Sequence, residues 1–346
     1  MNPGQKTISP ELYVGVDVSA ATASIALLSS VQADSDVFTI EQTEQGVAQL
    51  SMRLLETGYA PEQIHIVMEA TGTYWMRLAS QLHQTGFRIS VINPVQAHHF
   101  AQARLQRAKT DDMDAQTLAC LALQMQPPPW NPAPEVYEEL EQRLVERENL
   151  LNIRQQLRNQ LHALRYRPTV IPEVVARKQA LLAAIQEQIK TIEREVEGLM
   201  VQEHAWATST RLLQSIKGVG AITAAWLLVA THNFTDCDSP EQIAAYAGLV
   251  PYKRESGTSV RHRGRIGHTG HARLRRALYM ATLSATRHNP AIKTFYDRLR
   301  TKGKPMKVAR CAAARKLIHI AWAVVTKQTP YDPHYQQSRQ IQLRIA

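Results

Sequence analysis

The sequence predicts an α/β domain followed by a larger, mainly helical part. Residues 12–125 alternate short β-type runs with amphipathic helical ones. Five prolines between Gln126 and Glu135 end that pattern. Beyond them, apolar residues recur at helical spacing almost to the end of the chain.

Taken in order, Leu12–Val18 and Thr22–Leu28 are apolar runs separated by Ser19-Ala-Ala, which suits a hairpin, and Asp36–Glu41 supplies a third strand. Glu44–Thr57 reads as an amphipathic helix ended by Gly58. Strand Ile64–Ala70 follows, then helix Thr73–Thr85 stopped by Gly86, then strand Arg88–Ile92 closed by Asn93-Pro94. Helical stretches at 95–107 and 112–125 complete the unit. A three-strand meander followed by αβαβα is the order of an RNase H-like domain, here assigned to 1–125.

The Pro-rich stretch 126–135 predicts a stiff extended linker. In the next segment, Leu150, Ile153, Leu157, Leu161 and Leu164 form a narrow apolar stripe, and Arg167-Pro168 and Ile171-Pro172 break the helix. Leu182, Ile185, Ile189, Ile192, Val196 and Leu199 form a second stripe. Two polar helices of this kind predict an antiparallel coiled-coil hairpin over 136–205. Its stripes serve either its own packing or self-association. Residues 206–330 are expected to form a basic, mainly helical domain, with 331–346 as a tail. Within it, Ser215–Ala225 reads as a helix–hairpin–helix, in which Lys217 and the amides of Gly218 and Gly220 approach a DNA phosphate. The plain alternative for that motif is a tight helix turn.

Charge is unevenly spread. Residues 206–346 hold 23 of the 40 basic residues but only 6 of the 30 acidic ones, so the C-terminal third is expected to meet a polyanion. No apolar run reaches the ~20 residues of a spanning helix, and no apolar signal segment opens the chain, which favours nucleic acid over membrane. Cys120, Cys237 and Cys311 are widely separated and show no zinc spacing, so a reduced cytoplasmic setting is expected.

Four acids carry the candidate chemistry. Asp17 lies in the first strand, Glu69 ends an apolar strand, and Asp111 and Asp114 lie three apart at a helix start, where both project from one face. Asp112 lies about 100° round the helix and is excluded. An acid ending an apolar strand is costly unless it is paired or metal-bound. Two Mg²⁺ ions ~4 Å apart, with Mn²⁺ as a substitute, would satisfy all four. Each acid also has a plain role: Asp111 or Asp112 as a helix cap, Asp17 as a turn cap. Lys109 and Thr110 are placed to touch a substrate phosphate or orient a carboxylate.

A second constellation is Pro251–Arg265, where Ser256, Thr258 and Ser259 are flanked by Lys253 and Arg254 on one side and Arg261, Arg263 and Arg265 on the other. Spacing alone favours a solvated basic loop; the alternative is a serine nucleophile acting on phosphorus among arginines. Arg273, Arg275 and Arg276 open a helix, and Lys302, Lys304 and Lys307 surround Gly303; their density predicts phosphate contacts. His268 and His271 lack acidic or cysteine partners and are expected to bind phosphate or hydrogen-bond structurally.

Several of these segments resemble one family. Val14-Gly-Val-Asp-Val-Ser19, Met68-Glu-Ala-Thr-Gly-Thr-Tyr74, Val91-Ile-Asn-Pro94 and Lys109-Thr-Asp-x-x-Asp-Ala115 look like the N-terminal domain of the DEDD transposases of insertion sequences, which include the Piv-type invertases. Ile216–Gly220, Ala244–Pro251, Glu255–Arg261 and Leu274–Met280 resemble that family's C-terminal domain. The resemblance implies a RuvC-like RNase H fold whose Asp17, Glu69, Asp111 and Asp114 bind Mg²⁺, and Ser256 as a nucleophile forming a phosphoserine link to DNA. It further implies donor and target DNA paired by a noncoding bridge RNA, homodimers or homotetramers with composite sites, and a nucleoid-associated bacterial or archaeal protein. The competing readings are a RuvC-type nuclease that uses water, and a non-enzymatic nucleic-acid-binding scaffold.

Overall fold

Ser19 closes the first hairpin as its small hydroxyl predicts: its Oγ donates to the Thr22 carbonyl at 2.8 Å, folding β1 (Leu12–Val18) onto β2 (Thr22–Ser29). In this computed structural model the described residues are 10–29, 36–106, 110–256, 260–267 and 269–333, without the side chains of 205, 253–256 and 260–263. The chain divides into two units, 1–132 and 133–346.

In the first unit β3 (Asp36–Glu41) completes the meander, and α1 (Glu44–Leu55) starts at Thr43, whose hydroxyl accepts from the Gly46 amide at 3.1 Å. Then come β4 (Ile64–Glu69), α2 (Tyr74–Gln84), β5 (Arg88–Ile92), α3 (Pro94–Ala103) and α4 (Asp111–Met125). The sheet order is β3-β2-β1-β4-β5. The meander pairs antiparallel, whereas β1–β4 and β4–β5 pair parallel, as crossover helices require.

Strand alternation sends the two faces to different partners. Leu12, Val14, Val16 and Val18 share a core with Leu50, Leu54, Leu78 and Leu82 of α1 and α2. Tyr13, Val67 and Ile92 meet Leu118, Leu121 and Ala122 of α4 on the opposite face.

The Pro-rich segment forms neither helix nor strand, and its first part is docked on this unit. Ser90 Oγ donates to the Pro127 and Pro128 carbonyls at 3.0 and 2.8 Å, and the Trp130 amide donates to Ile89 O at 2.7 Å. The Trp130 ring meets Trp75 edge-on at 5.6 Å.

The second unit opens with two long paired helices, α5 (Glu135–Leu164) and α6 (Pro172–Gln202), broken where the prolines predicted. Arg147 joins Glu193 across the pair at 2.6 Å. Leu140 and Leu144 of α5 and Ile189, Ile192, Val196 and Met200 of α6 are buried, whereas Ile153 and Leu181 stay 43% and 55% exposed. Next come α7 (His204–Gln214), α8 (Ala221–Ala230) and α9 (Pro240–Tyr246). After strands β6 (Tyr252–Ser256) and β7 (Val260–Arg265), α10 (Ala272–His288), α11 (Pro290–Thr301) and α12 (Met306–Thr326) complete the unit. Trp206, Trp226, Leu278 and Leu317 lie in one core with the buried ends of α5 and α6.

The segment expected as a loop in a mainly helical domain is therefore a two-stranded antiparallel hairpin. Glu255 is the register partner of Arg261. Among the described residues no helix is long and apolar enough to cross a membrane.

Candidate active site and nucleic-acid contacts

Glycine at position 15 makes the first site possible. A Cβ there would stand 1.9 Å from the Ala115 carbonyl oxygen and 2.3 Å from the Ala119 amide, so only glycine lets the α4 backbone rest on β1. Asp17 is two residues along the same strand and therefore on the face that carries α4. The parallel register sets Val16 beside Met68, so Asp17 and Glu69 occupy the next step on adjacent strands, at their C-terminal ends. Ligands of open α/β sheets gather at that edge.

α4 runs back along β1: Ala115 sits at Gly15, while Leu121 and Ala122 reach Tyr13. Its first turn, with Asp111 and Asp114, thus lies at the Asp17 end. Asp17, Glu69 and Asp114 are half-buried, and Asp111 and Asp112 are exposed.

The helix cap is Thr110, whose hydroxyl accepts from the Met113 amide at 3.3 Å, so neither Asp111 nor Asp112 is needed as a cap. Three acids in this first turn also face the positive end of the helix dipole. Thr71, unnoticed in the sequence, donates its hydroxyl to the Glu69 carboxylate. Lys109 lies outside the described residues.

Among the described residues no three His, Cys, Asp or Glu side chains form a group that could hold a metal ion. The four acids share one edge and one face without meeting at one point. As hard oxygen donors, these carboxylates fit Mg²⁺ or Mn²⁺ in chemistry.

Ser256 is the last residue of β6 and pairs with Val260 across the turn. The turn, with Thr258 and Ser259, lies outside the described residues, as does His268. Lys253 and Arg254 are on β6 and Arg261, Arg263 and Arg265 on β7, which places all five on the hairpin. Tyr252 anchors its base through a hydroxyl contact with Thr269.

The helical basic residues divide in two. Arg273 and Arg276 lie 3.5 and 3.6 Å from Glu148 of α5, and Arg275 donates to the Thr269 carbonyl at 2.9 Å. These three, expected at phosphates, have partners within the unit, and their sequence neighbours do not reveal it. Lys302, Lys304 and Lys307 are exposed. His271 caps α10, accepting from the Leu274 amide at 3.0 Å, the structural one of the two roles expected for it.

At 215–221 the turn between α7 and α8 is set by Gly218, where a φ of +103° and the 2.6 Å that a Cβ would have to Ala285 Cβ both exclude a side chain. Lys217 and Gly220 are exposed beside it. Asn289 holds this turn: fully buried, it donates to the Lys217 carbonyl at 3.2 Å and accepts from the Ile292 amide and the Tyr331 hydroxyl. Asn289-Pro290 is a readable helix start that the sequence analysis passed over.

Comparisons with known proteins agree along the chain. A model of DEDD-type IS110 transposases, described as Transposase, matches residues 14–166. A second, described as Transposase IS116/IS110/IS902 family, matches 210–297. The pilin gene-inverting protein of Moraxella bovis is 30% identical over 322 residues, 92% of this chain and 97% of that protein. Its counterpart in Moraxella lacunata is 29% identical over the same shares. An insertion element IS110 protein of 43.6 kDa from Streptomyces coelicolor is 33% identical over 46% of this chain and 38% of its own length.

Proposed function

Since the chain belongs to the IS110-type DEDD transposases, enzymes that cleave and transfer DNA strands, we propose that it is an insertion-sequence recombinase working through a serine–DNA link and guided by a bridge RNA. The observation that carries this reading is the common edge of Asp17, Glu69 and the first turn of α4, held by backbone contact at Gly15.

Asp17, Glu69, Asp111 and Asp114 are the residues that would hold Mg²⁺. A divalent cation bound there supplies a Lewis acid for phosphodiester chemistry. Ser256 attacks a DNA phosphorus through its hydroxyl oxygen. One P–O bond to the sugar breaks as the P–O bond to serine forms; the serine proton is given up, and the departing sugar oxygen gains one. A phosphodiester is exchanged for a phosphodiester, so rejoining needs no nucleotide cofactor. Lys253, Arg254, Arg261, Arg263 and Arg265 on the hairpin balance the added negative charge. Lys302, Lys304 and Lys307, with Lys217 and the amides near Gly218 and Gly220, hold backbone phosphates of DNA or RNA.

In the same reading 1–125 is the metal-binding domain, 136–205 a coiled coil that supports a homodimer or homotetramer, and 206–330 the serine domain, acting at the nucleoid. The test is a denaturing gel of enzyme with labelled donor DNA and Mg²⁺. A slow, protease-sensitive band present in wild type and absent in Ser256→Ala is expected. A band that persists in Ser256→Ala removes the serine assignment, and cleavage with no band in any variant favours the water-using nuclease. Sequencing of co-purified RNA tests the bridge RNA.

A further inference from the structure

The second unit holds an open cavity of ~410 Å³. Glu141 of α5, His232 and Asp236 of the loop after α8, Gln242 and Tyr246 of α9, and His271 line it. The proposed chemistry uses none of them.

Their hydrogen-bonding states are fixed by neighbours. Gln242 Oε1 accepts from the Asp238 amide at 2.8 Å, which leaves its NH₂ as the group to offer. His271 Nδ1 accepts from Leu274, so the ring proton is on Nε2. Burial, with Arg273 and Arg275 nearby, lowers the His271 pKa and keeps that ring neutral. His232 Nδ1 is paired with Asp236. Glu141 makes no hydrogen bond or ion pair among the described residues, and burial pushes its carboxyl up, with Arg273 opposing. The rings of Tyr246 and His271 stand 5.5 Å apart, tilted by 43°.

The backbone is bent to build this place. His232, Asn233 and Phe234 are consecutively left-handed, with φ of 42°, 57° and 66°, a conformation that side chains rarely adopt. The bend is held by Phe234, which is buried against Trp322 and whose amide donates to Thr231 Oγ1 at 2.9 Å.

An aromatic ring, one uncommitted carboxylate and N–H donors lining the same cavity complement a planar heterocycle with two adjacent N–H groups and ring acceptors. Guanine has this pattern: N1–H and the 2-amino group both donate to one carboxylate, and O6 and N7 accept. Adenine offers an amino group without the adjoining ring N–H. In a duplex this edge faces the partner base, so the guest must be unpaired. We propose that the cavity receives one unpaired guanine of the nucleic acid that this enzyme handles, with Glu141 accepting from its Watson–Crick edge, Tyr246 against its face, and Gln242 and His271 as N–H donors to its ring acceptors. The inference rests on the nucleic-acid reading above. DNA and RNA present the same edge, so either strand can supply the base.

The test measures anisotropy of the full-length protein with labelled oligothymidylate, either unmodified or with one central guanine, inosine or adenine. The same set is made as RNA on oligouridylate. Guanine is expected to bind roughly tenfold tighter than inosine, which lacks the 2-amino group, and than adenine, the scale of one good bidentate base contact. Whether the preference shows in the DNA set or the RNA set identifies the strand. Glu141→Gln should bring guanine and inosine within twofold while leaving affinity for the plain oligomer unchanged. Gln242→Leu should weaken guanine binding in the same way and serves if Glu141→Gln fails to fold by circular dichroism. Plain oligomers bound normally, with no guanine preference in either set, overturn the cavity assignment alone. Loss of all oligomer binding by the wild type overturns the nucleic-acid reading, and this inference with it.

Discussion

Gly15 and Ala115 meet backbone to backbone: the missing Cβ of the glycine is the space occupied by the alanine carbonyl. This one contact sets the level at which Asp111 and Asp114 stand beside Asp17. Gly15→Ala must push α4 away from β1. Overpacking of this kind costs ~1–3 kcal/mol, and because the obstacle is backbone the upper end is expected. Urea denaturation should show the loss, and strand transfer should fall further than stability alone explains. Unchanged activity in a destabilised Gly15→Ala protein would separate α4 from the chemistry.

Removing charge from the acidic edge should act on activity and not on folding. Asp17→Asn, Glu69→Gln, Asp111→Asn and Asp114→Asn are each expected to abolish recombination while leaving the fold largely intact. Asp112→Asn should be mild. Calorimetry beside a recombination assay checks both halves, and equal losses at Asp112 and Asp114 would refute the assignment of the face.

His65 predicts a pH dependence of stability. It is fully buried, and its Nε2 lies 2.8 Å from Ser90 Oγ. Ser90 spends its proton on Pro127 and Pro128, so His65 is the donor there and its Nδ1 has no partner. Burial, helped by the Arg88 charge, lowers its pKa from 6.5 to about 4. The unfolded chain therefore binds a proton that the folded one refuses between these values. This contribution is fully present above pH 6.5 and falls away toward pH 4, by on the order of 2–3 kcal/mol. His65→Gln should flatten the slope in that window, as read by urea midpoints at several pH values.

Asn289 joins three parts of the second unit, and Asn289→Ala would leave the Lys217 carbonyl and the Ile292 amide without it. The expected loss is ~1–3 kcal/mol, chiefly from the buried Ile292 amide left unsatisfied. Tyr331→Phe should lose less, because only the hydroxyl bond to Asn289 goes while the Tyr331 amide still reaches Ser215.

The two classes of basic residue should separate in a salt titration. Replacing Lys302, Lys304 and Lys307 by Ala is expected to weaken nucleic-acid binding and reduce the salt slope by about one for each lost phosphate contact. Arg276→Ala should instead lower stability through Glu148 and leave the slope nearly unchanged. A slope reduced equally in both cases would assign Arg276 to the interface as well.

The N-terminal fold was legible because its signals are local. Alternating apolar runs, Gly58 and Gly86 after helices, and Asn93-Pro94 before one each act within a few residues. The acids at strand ends were legible for the same reason, since an ionisable group in an apolar run is locally anomalous. Long-range partnerships were not legible. Arg273 and Arg276 pair with a carboxylate more than a hundred positions earlier, and Gly15 is shaped by a helix about a hundred positions later. The β6–β7 hairpin escaped notice because a stretch so rich in Lys and Arg lacks the apolar alternation that marks a strand.

The docking of Pro127, Pro128 and Trp130 onto β5 has a practical consequence for dissection of the enzyme. A fragment cut at residue 125, where the helical pattern stops, would strip Ser90 of its two acceptors, leave the Ile89 carbonyl open and bare the Trp75 ring. Its poor solubility could then be mistaken for an intrinsic failing of the N-terminal unit. A fragment carried through Pro132 keeps those partners and is the one to crystallise or label.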